Sequence, residues 1–92
     1  AAAGRQYFFM DCTARCASQI LQYAVPEGED FVMRLTREQL AARLGCSLRT
    51  CHRVVEELER EGLLSVRKGK ITVDGGQRER LTEYLKSRVQ GL

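Results

Sequence analysis

Three basic side chains in the second half of the chain, Arg49, His52 and Arg53, are spaced so that one helix face would carry them all. Each residue of a helix turns the chain by about 100°, which brings residues three and four apart together. A guanidinium can donate two hydrogen bonds to O6 and N7 of guanine, and DNA-reading helices place their N-terminal residues on base edges. The acids from Glu56 onward follow only later. A positive start and an acidic finish suit a helix that reads DNA bases; the alternative is a solvated face of mixed charge.

The elements that would position this face are a short helix, a tight turn and a second helix. Residues 36–39, Thr-Arg-Glu-Gln, match a capping box that opens the first helix. Gly45 ends it, because glycine takes the left-handed conformation without steric cost. Ser47 caps the second helix, the predicted recognition helix over 48–61. Ala41 and the short link suit two helices that cross at a sharp angle, so the pair is predicted to be a helix-turn-helix.

A basic hairpin is predicted directly after the second helix. Residues 63–66 and 71–73 have the pattern of short strands, and the sequence Arg67-Lys68-Gly69-Lys70 would form the turn between them. Positive charges on such a wing add affinity for any DNA sequence, because they release counterions from the phosphates. The alternative for this turn is a solvated loop that binds nothing.

Polar side chains near the two helix starts are further candidates for phosphate contact. The free amides at a helix N-terminus attract anions, so Ser47 could contact a phosphate while it caps; the alternative is a cap alone. The predicted phosphate-contacting set is Arg37, Ser47, Thr50, Arg67, Lys68 and Lys70.

The remaining chain is predicted to supply supporting elements. Asp11 is a good N-cap for a helix that runs to about Ala24, with apolar residues every four positions. Residues 26–30 are predicted to be a loop, and residues 31–35 alternate as in a short strand. The segment 77–90 has the pattern of a final helix.

Together these residues closely resemble the C-terminal DNA-binding domain of the Crp–Fnr family of bacterial transcription regulators. The resemblance covers Phe9 to about Asp74. Its motifs are Phe9-Met10-Asp11, Leu35-Thr36-Arg37-Glu38-Gln39-Leu40-Ala41, Gly45-Cys46-Ser47-Leu48-Arg49-Thr50, Arg53-Val54-Val55-Glu56-Glu57-Leu58, and Gly62-Leu63-Leu64 with the wing. The implied fold is mainly α with a small β-sheet: a winged helix-turn-helix with a three-helix core, a β-hairpin wing and a C-terminal helix.

The resemblance also implies a domain organisation and partners. Residues 11–76 would be the DNA-binding domain and 77–92 the C-terminal helix, while 1–10 would be the end of a linker or dimerisation helix, or a cloning remnant. The full protein would be a homodimer on a palindromic double-stranded DNA operator, with RNA polymerase as a further partner. An N-terminal sensor domain outside this chain would bind any effector, so no cofactor is expected here.

The family's base-reading positions fall on Leu48, Arg49 and Arg53. Arg53 matches the family's usual arginine, whereas the best-known pattern has a polar residue at the first position and often a glutamate at the second. Glutamate would accept from cytosine, but arginine seeks guanine, so the operator is expected to differ from the best-known consensus. His52 is bulkier than the residue the family often has there, and is expected to contact a base or a phosphate.

Two other functions stay open from the residues. The chain has four cysteines: Cys12, Cys16, Cys46 and Cys51. They could belong to a redox-sensing or metal-sensing regulator, but neither C-x3-C nor C-x4-C is the C-x2-C spacing usual for zinc. The favoured interpretation is that the cysteines are small buried hydrophobic residues.

A winged helix that contacts another protein is the second alternative. The glutamates of the recognition helix favour it, and Arg49 and Arg53 argue against it.

Composition sets further limits. The 92 residues suit one domain, and a net charge of +3 is only mildly basic. No apolar run approaches the roughly 18 residues of a membrane span and no signal peptide is visible, so a cytoplasmic protein with reduced thiols is expected. No enzyme is predicted, because the only histidine, His52, points about 100° away from Cys51 on a helix. No metal site is predicted either.

Overall fold

A computed structural model describes residues 11–89. In chain order their elements are α1 (Cys12–Tyr23), β1 (Val25–Glu27), β2 (Asp30–Val32), α2 (Arg37–Leu44), α3 (Leu48–Arg60), β3 (Ser65–Arg67), β4 (Lys70–Val73) and α4 (Gly75–Val89). This order confirms the predicted fold class, a winged helix-turn-helix followed by a C-terminal helix. The features predicted for 1–10, and the predicted helix end at residue 90, lie outside the described residues. The division into segments 11–76 and 77–92 stays a prediction.

Polar caps fix where α1 and α2 begin. Asp11 accepts a hydrogen bond from the Ala14 amide through Oδ1 at 2.8 Å. The Thr36 hydroxyl accepts from the Gln39 amide at 3.0 Å, and the Gln39 side chain accepts from the Thr36 amide at 2.9 Å. These reciprocal bonds satisfy amides that have no partner inside the helix, and they confirm the predicted capping box.

The ends of α3 and the start of α4 differ slightly from prediction. α3 ends at Arg60, one residue earlier than predicted, and Gly62 follows with φ +76°. α4 begins at Gly75 rather than at Gln77. Asp74 Oδ1 accepts from the Gln77 amide at 2.7 Å, and Gln77 Oε1 accepts from the Asp74 amide at 3.0 Å. This second reciprocal pair starts the helix despite two glycines, which disfavour it.

The prediction of a loop at residues 26–30 is wrong except at Gly28 and Glu29, which form a turn. Residues 25–27 and 30–32 form an antiparallel hairpin, so the sheet has four strands in the order β1-β2-β4-β3. Pro26 pairs with Phe31 on the edge strand β1, where a residue without an N–H is tolerated. The predicted strand 31–35 starts one residue earlier and stops at Val32, although the Met33 amide still donates to the Ile71 carbonyl at 2.9 Å.

The core lies between the helices and one face of the sheet. The members of its main cluster are Cys16, Ala17, Ile20, Met33, Leu40, Ala41, Leu44, Cys51, Val54, Val55, Leu58, Leu63, Leu64, Ile71, Val73 and Leu81. α4 joins this core through Leu81, which is fully buried. Between residues 11 and 89, no helix is long and apolar enough to cross a membrane.

We expect Asp11 to stabilise the fold in two separable ways. Its Oδ1 caps α1, and its Oδ2 accepts from Arg88 of α4 at 3.0 Å. Asp11→Asn should keep the cap and lose only this exposed ion pair, a cost of about 0.2–1 kcal/mol. Asp11→Ala should lose the cap as well, which costs about 0.5–2 kcal/mol more. Urea unfolding of both variants measures the two costs, and equal losses would show that the cap contributes nothing.

Candidate nucleic-acid interface

The outer face of α3 is held toward solvent by the burial of its opposite face. Cys51, Val54, Val55 and Leu58 are buried in the core. The four side chains predicted to contact bases, Leu48, Arg49, His52 and Arg53, are all exposed in the first two turns. Leu48 is 40% exposed, which is unusual for a large apolar residue in this chain. The structure therefore brings the predicted set together on one accessible surface, and its contact with bases stays a prediction.

The charge in the first turn of α3 opposes the dipole of the helix, whereas Arg60 in the last turn is favourably placed. A helix carries partial positive charge at its N-terminus, so acids are favoured in the first turn and bases in the last. α2 has an acid, Glu38, beside Arg37 in its first turn and a base, Arg43, in its last. α3 has no acid in its first turn and carries Arg49 there instead. Within residues 11–89 neither Arg49 nor Arg53 forms an ion pair, so this end of α3 is an uncompensated positive surface.

Ser47 and Thr50 form a small hydroxyl pair at the start of α3. The Ser47 hydroxyl accepts from the Thr50 amide at 3.1 Å and donates to the Thr50 hydroxyl at 3.0 Å. The predicted cap is confirmed. Because Thr50 Oγ1 accepts within this pair, its own hydroxyl proton is available to another acceptor.

The turn before α3 is fixed from two sides. Gly45 has φ +71°, and its amide is bonded to the carbonyls of Ala41 and Ala42 at the end of α2. Arg15 of α1 donates to the Leu44 carbonyl at 3.1 Å, where a helix leaves its last carbonyls without partners. Because the turn sets the angle between α2 and α3, the bond from Arg15 helps to fix the orientation of α3. No local sequence spacing indicates this contact between α1 and α2.

Arg37 is half-buried in the first turn of α2. Its guanidinium lies close enough to the buried thiols of Cys16 and Cys51 to lower the pKa of each, although burial outweighs this effect and raises both. Arg37 is therefore less open to solvent than the exposed Arg49 and Arg53. Its predicted phosphate contact stays a prediction.

The wing presents one cation, Lys68, in an exposed turn and two, Arg67 and Lys70, at the strand ends beside it. Arg67, Lys68 and Lys70 are exposed, and the chain reverses through Lys68 at φ +53° and Gly69 at φ +77°. Two successive positive φ angles are typical of a type I′ hairpin turn, which favours Asn, Asp or Gly at the first position. Arg67 also lies 3.7 Å from Asp30 of β2, a partner that sequence spacing does not reveal.

The root of the wing is held by α4. Gln77 is buried, and its Nε2 donates to the Gly62 carbonyl and to the Ser65 hydroxyl, both at 3.3 Å. Arg80 adds a bond to the same Gly62 carbonyl at 3.2 Å. These contacts tie the end of α3 and the start of β3 to the C-terminal helix. Sequence reasoning missed Gln77, because its partners lie 12 and 15 residues away.

The four cysteines lie closer together than their sequence spacing indicates. Burial is the first cause that raises the pKa of Cys16 to about 12, and Cys51 adds to it. Burial also raises the pKa of Cys46, and Cys12 adds to this through charge and through a hydrogen bond between the two thiols. Among residues 11–89, no group of three or more His, Cys, Asp or Glu side chains is arranged to hold a metal ion.

Comparisons with known proteins point to one family. The family model described as a Crp-like helix-turn-helix domain matches residues 14–84. TTHA1359, a CRP/FNR-family transcriptional regulator from Thermus thermophilus, is similar over 95% of this chain and 46% of its own, with 27% identity and a TM-score of 0.76. A serine-for-cysteine variant of CprK in complex with OCPA is similar over 94% of this chain and 41% of its own, with 25% identity and a TM-score of 0.58. No curated protein sequence gives a significant match.

We expect the positive charge in the first turn of α3 to lower the free energy of unfolding. Arg49→Glu places an acid in the first turn, where the dipole favours it, and should raise the free energy of unfolding by about 0.3–1 kcal/mol. Arg60→Glu, the same charge change in the last turn, should lower it by a similar amount. Paired urea unfolding curves at low ionic strength measure both values. Changes of the same sign in the two variants would contradict a dipole effect.

Proposed function

Because the chain belongs to the Crp-like helix-turn-helix family, we propose that it binds double-stranded DNA sequence-specifically as the output domain of a transcription regulator. The observation that carries this proposal is the exposed, unpaired positive charge at the start of α3, which folding does not explain. A helix of 13 residues with exposed N-terminal turns fits the major groove. Polyanionic DNA supplies the negative charge that the first turn lacks.

Base recognition is assigned to the first two turns of α3. Arg53 and Arg49 each suit bidentate donation to guanine O6 and N7. Leu48 suits the methyl group of thymine, since it offers an exposed apolar surface at the helix start. His52 contributes to the same preference by contact with a base or a phosphate.

Phosphate contacts are assigned to the edges of this surface. Ser47 and Thr50 flank the N-terminus of α3, where amides and hydroxyls suit an anion. Arg37 and the wing cations Arg67, Lys68 and Lys70 would add affinity that is independent of sequence and sensitive to salt.

The acids of α3 orient the helix in the groove. Glu56, Glu57 and Glu59, with Glu61 at the C-cap, all lie beyond the second turn. Phosphates repel them, so the C-terminal end of α3 should be directed away from the backbone while the N-terminal end enters the groove. The alternative of a protein-binding winged helix requires these acids to face a basic partner and leaves Arg49 and Arg53 without a role.

The chain spans about half the length of the solved structures that it matches. For the whole protein we therefore propose a homodimer on a palindromic operator, an effector bound outside this chain, and RNA polymerase as a partner. A dimer would place its two recognition helices in half-sites about 34–36 Å apart, one turn of DNA.

The experiment that tests DNA binding is selection of bound DNA from random duplexes, with this chain as purified and again as a covalent dimer. A recovered motif that contains guanines supports base reading by α3. A palindromic motif recovered only with the dimer supports operator binding by two copies. Failure of both forms to enrich any motif would overturn the proposal.

We expect Arg53→Ala to weaken binding to the selected site by about 1–3 kcal/mol and to relax specificity at one base pair. Arg60→Ala is the matched control, because it removes the same charge from the same face seven residues further along α3. It should leave base preference unchanged. Affinity for the selected site and for single-base variants measures both effects; equal losses on every sequence would refute base reading by Arg53.

We expect Lys68→Asn to separate stability from DNA affinity. Asparagine tolerates positive φ, so the variant should gain about 1 kcal/mol of unfolding free energy. The same change should weaken binding to all DNA sequences similarly and lower the salt slope by about one unit. Urea unfolding and binding at several salt concentrations measure the two effects. An unchanged salt slope would show that Lys68 does not contact phosphate.

A further inference from the structure

The first turn of α1 lies directly against the turn between α2 and α3. Arg15 of α1 donates to the Leu44 carbonyl at 3.1 Å, and its guanidinium lies beside Gly45. Cys12 is one helical turn before Arg15, and Cys46 is two residues after Leu44. Both cysteines pack against the edge of the core, and Cys12 lies close enough to Cys46 to help raise the pKa of its thiol. Two thiols from distant parts of the sequence are thus neighbours in the fold.

The four thiols differ in their access to solvent. Cys12 and Cys46 are half-buried, whereas Cys16 and Cys51 are fully buried. A solution oxidant can reach only the first pair without unfolding. Burial also raises the pKa of Cys16 and Cys51, as it does that of Cys46, and so disfavours the reactive thiolate at these three positions.

We propose that Cys12 and Cys46 form a reversible intramolecular disulfide that joins the start of α1 to the turn of the helix-turn-helix. A peroxide is a sufficient oxidant. The Cys12 thiolate attacks the peroxide oxygen to give a sulfenic acid and hydroxide. Cys46 then attacks that sulfur, loses its proton, and releases water. In total two thiols and one hydrogen peroxide give one disulfide and two waters.

The disulfide would link the start of α1 to the residue that precedes the cap of the recognition helix α3. Cys12 follows the Asp11 cap, to which Arg88 of α4 is also bonded. Cys46 precedes Ser47, the cap of α3. A disulfide between residues 34 positions apart restricts the unfolded chain, so the oxidised protein should melt at a higher temperature than the reduced protein.

Peptide mapping tests the pairing directly, since trypsin separates the four cysteines. Cleavage after arginine leaves them in peptides 6–15, 16–34, 44–49 and 50–53. The reduced chain is treated with equimolar hydrogen peroxide at neutral pH, alkylated and digested. The expected product is peptide 6–15 linked to peptide 44–49, with a mass about 2 Da below the sum of the two thiol peptides. Dithiothreitol should restore both free peptides and the lower melting temperature.

Variants and an unfolded control keep the test specific. Cys12→Ser and Cys46→Ser should each abolish the linked peptide, whereas Cys51→Ala should retain it. In urea, oxidation should give a mixture of pairings. A native product that links 44–49 to 50–53, joins two chains, or carries only further oxidised Cys12 would overturn the proposal. So would the same mixture of pairings in the native and the unfolded chain.

Discussion

The burial of one side of α3 is the interaction on which the interface depends. Four apolar or thiol side chains on that side, Cys51, Val54, Val55 and Leu58, are removed from water. Full burial of a valine or leucine contributes about 1.5–3 kcal/mol. A charge at the unfavourable end of a helix costs only about 0.3–1 kcal/mol. The buried stripe therefore outweighs the misplaced charges, and the outer face can carry a charge pattern that suits a ligand instead of the helix.

The rest of the fold fixes the direction in which that face points. Gly45 makes the sharp turn out of α2, and Arg15 satisfies the carbonyl that the turn exposes. At the other end of α3, Gln77 holds Gly62 and the root of the wing. α1 and α4 thus act on the two ends of the same helix, although neither belongs to the helix-turn-helix. The angle of α3 and the position of the wing are set together.

Features whose causes are local in sequence could be predicted, and features that depend on distant residues could not. The caps at Asp11, Thr36 and Ser47 and the exposed face of α3 follow from spacing within a few residues, and all were predicted. The β1–β2 hairpin was not, because its strands have three residues each and Pro26 indicates a loop. The contact of Cys12 with Cys46 arises only when α1 packs against the turn. Spacing within each helix carries no information about such contacts.

Arg67 and Lys68, two cations of the wing, differ in their ion pairing and in their backbone conformation. Arg67 already has a carboxylate neighbour, Asp30, at 3.7 Å, with most of its side chain in solvent. Such a pair contributes less than about 1 kcal/mol, so a phosphate can displace or share it at small cost. Lys68 has no ion pair among residues 11–89, and its backbone adopts a conformation that lysine disfavours. Asparagine or glycine at this position would make the fold more stable. The charge of Lys68 at the tip of the hairpin is therefore not explained by folding, which is why a phosphate contact is proposed for it.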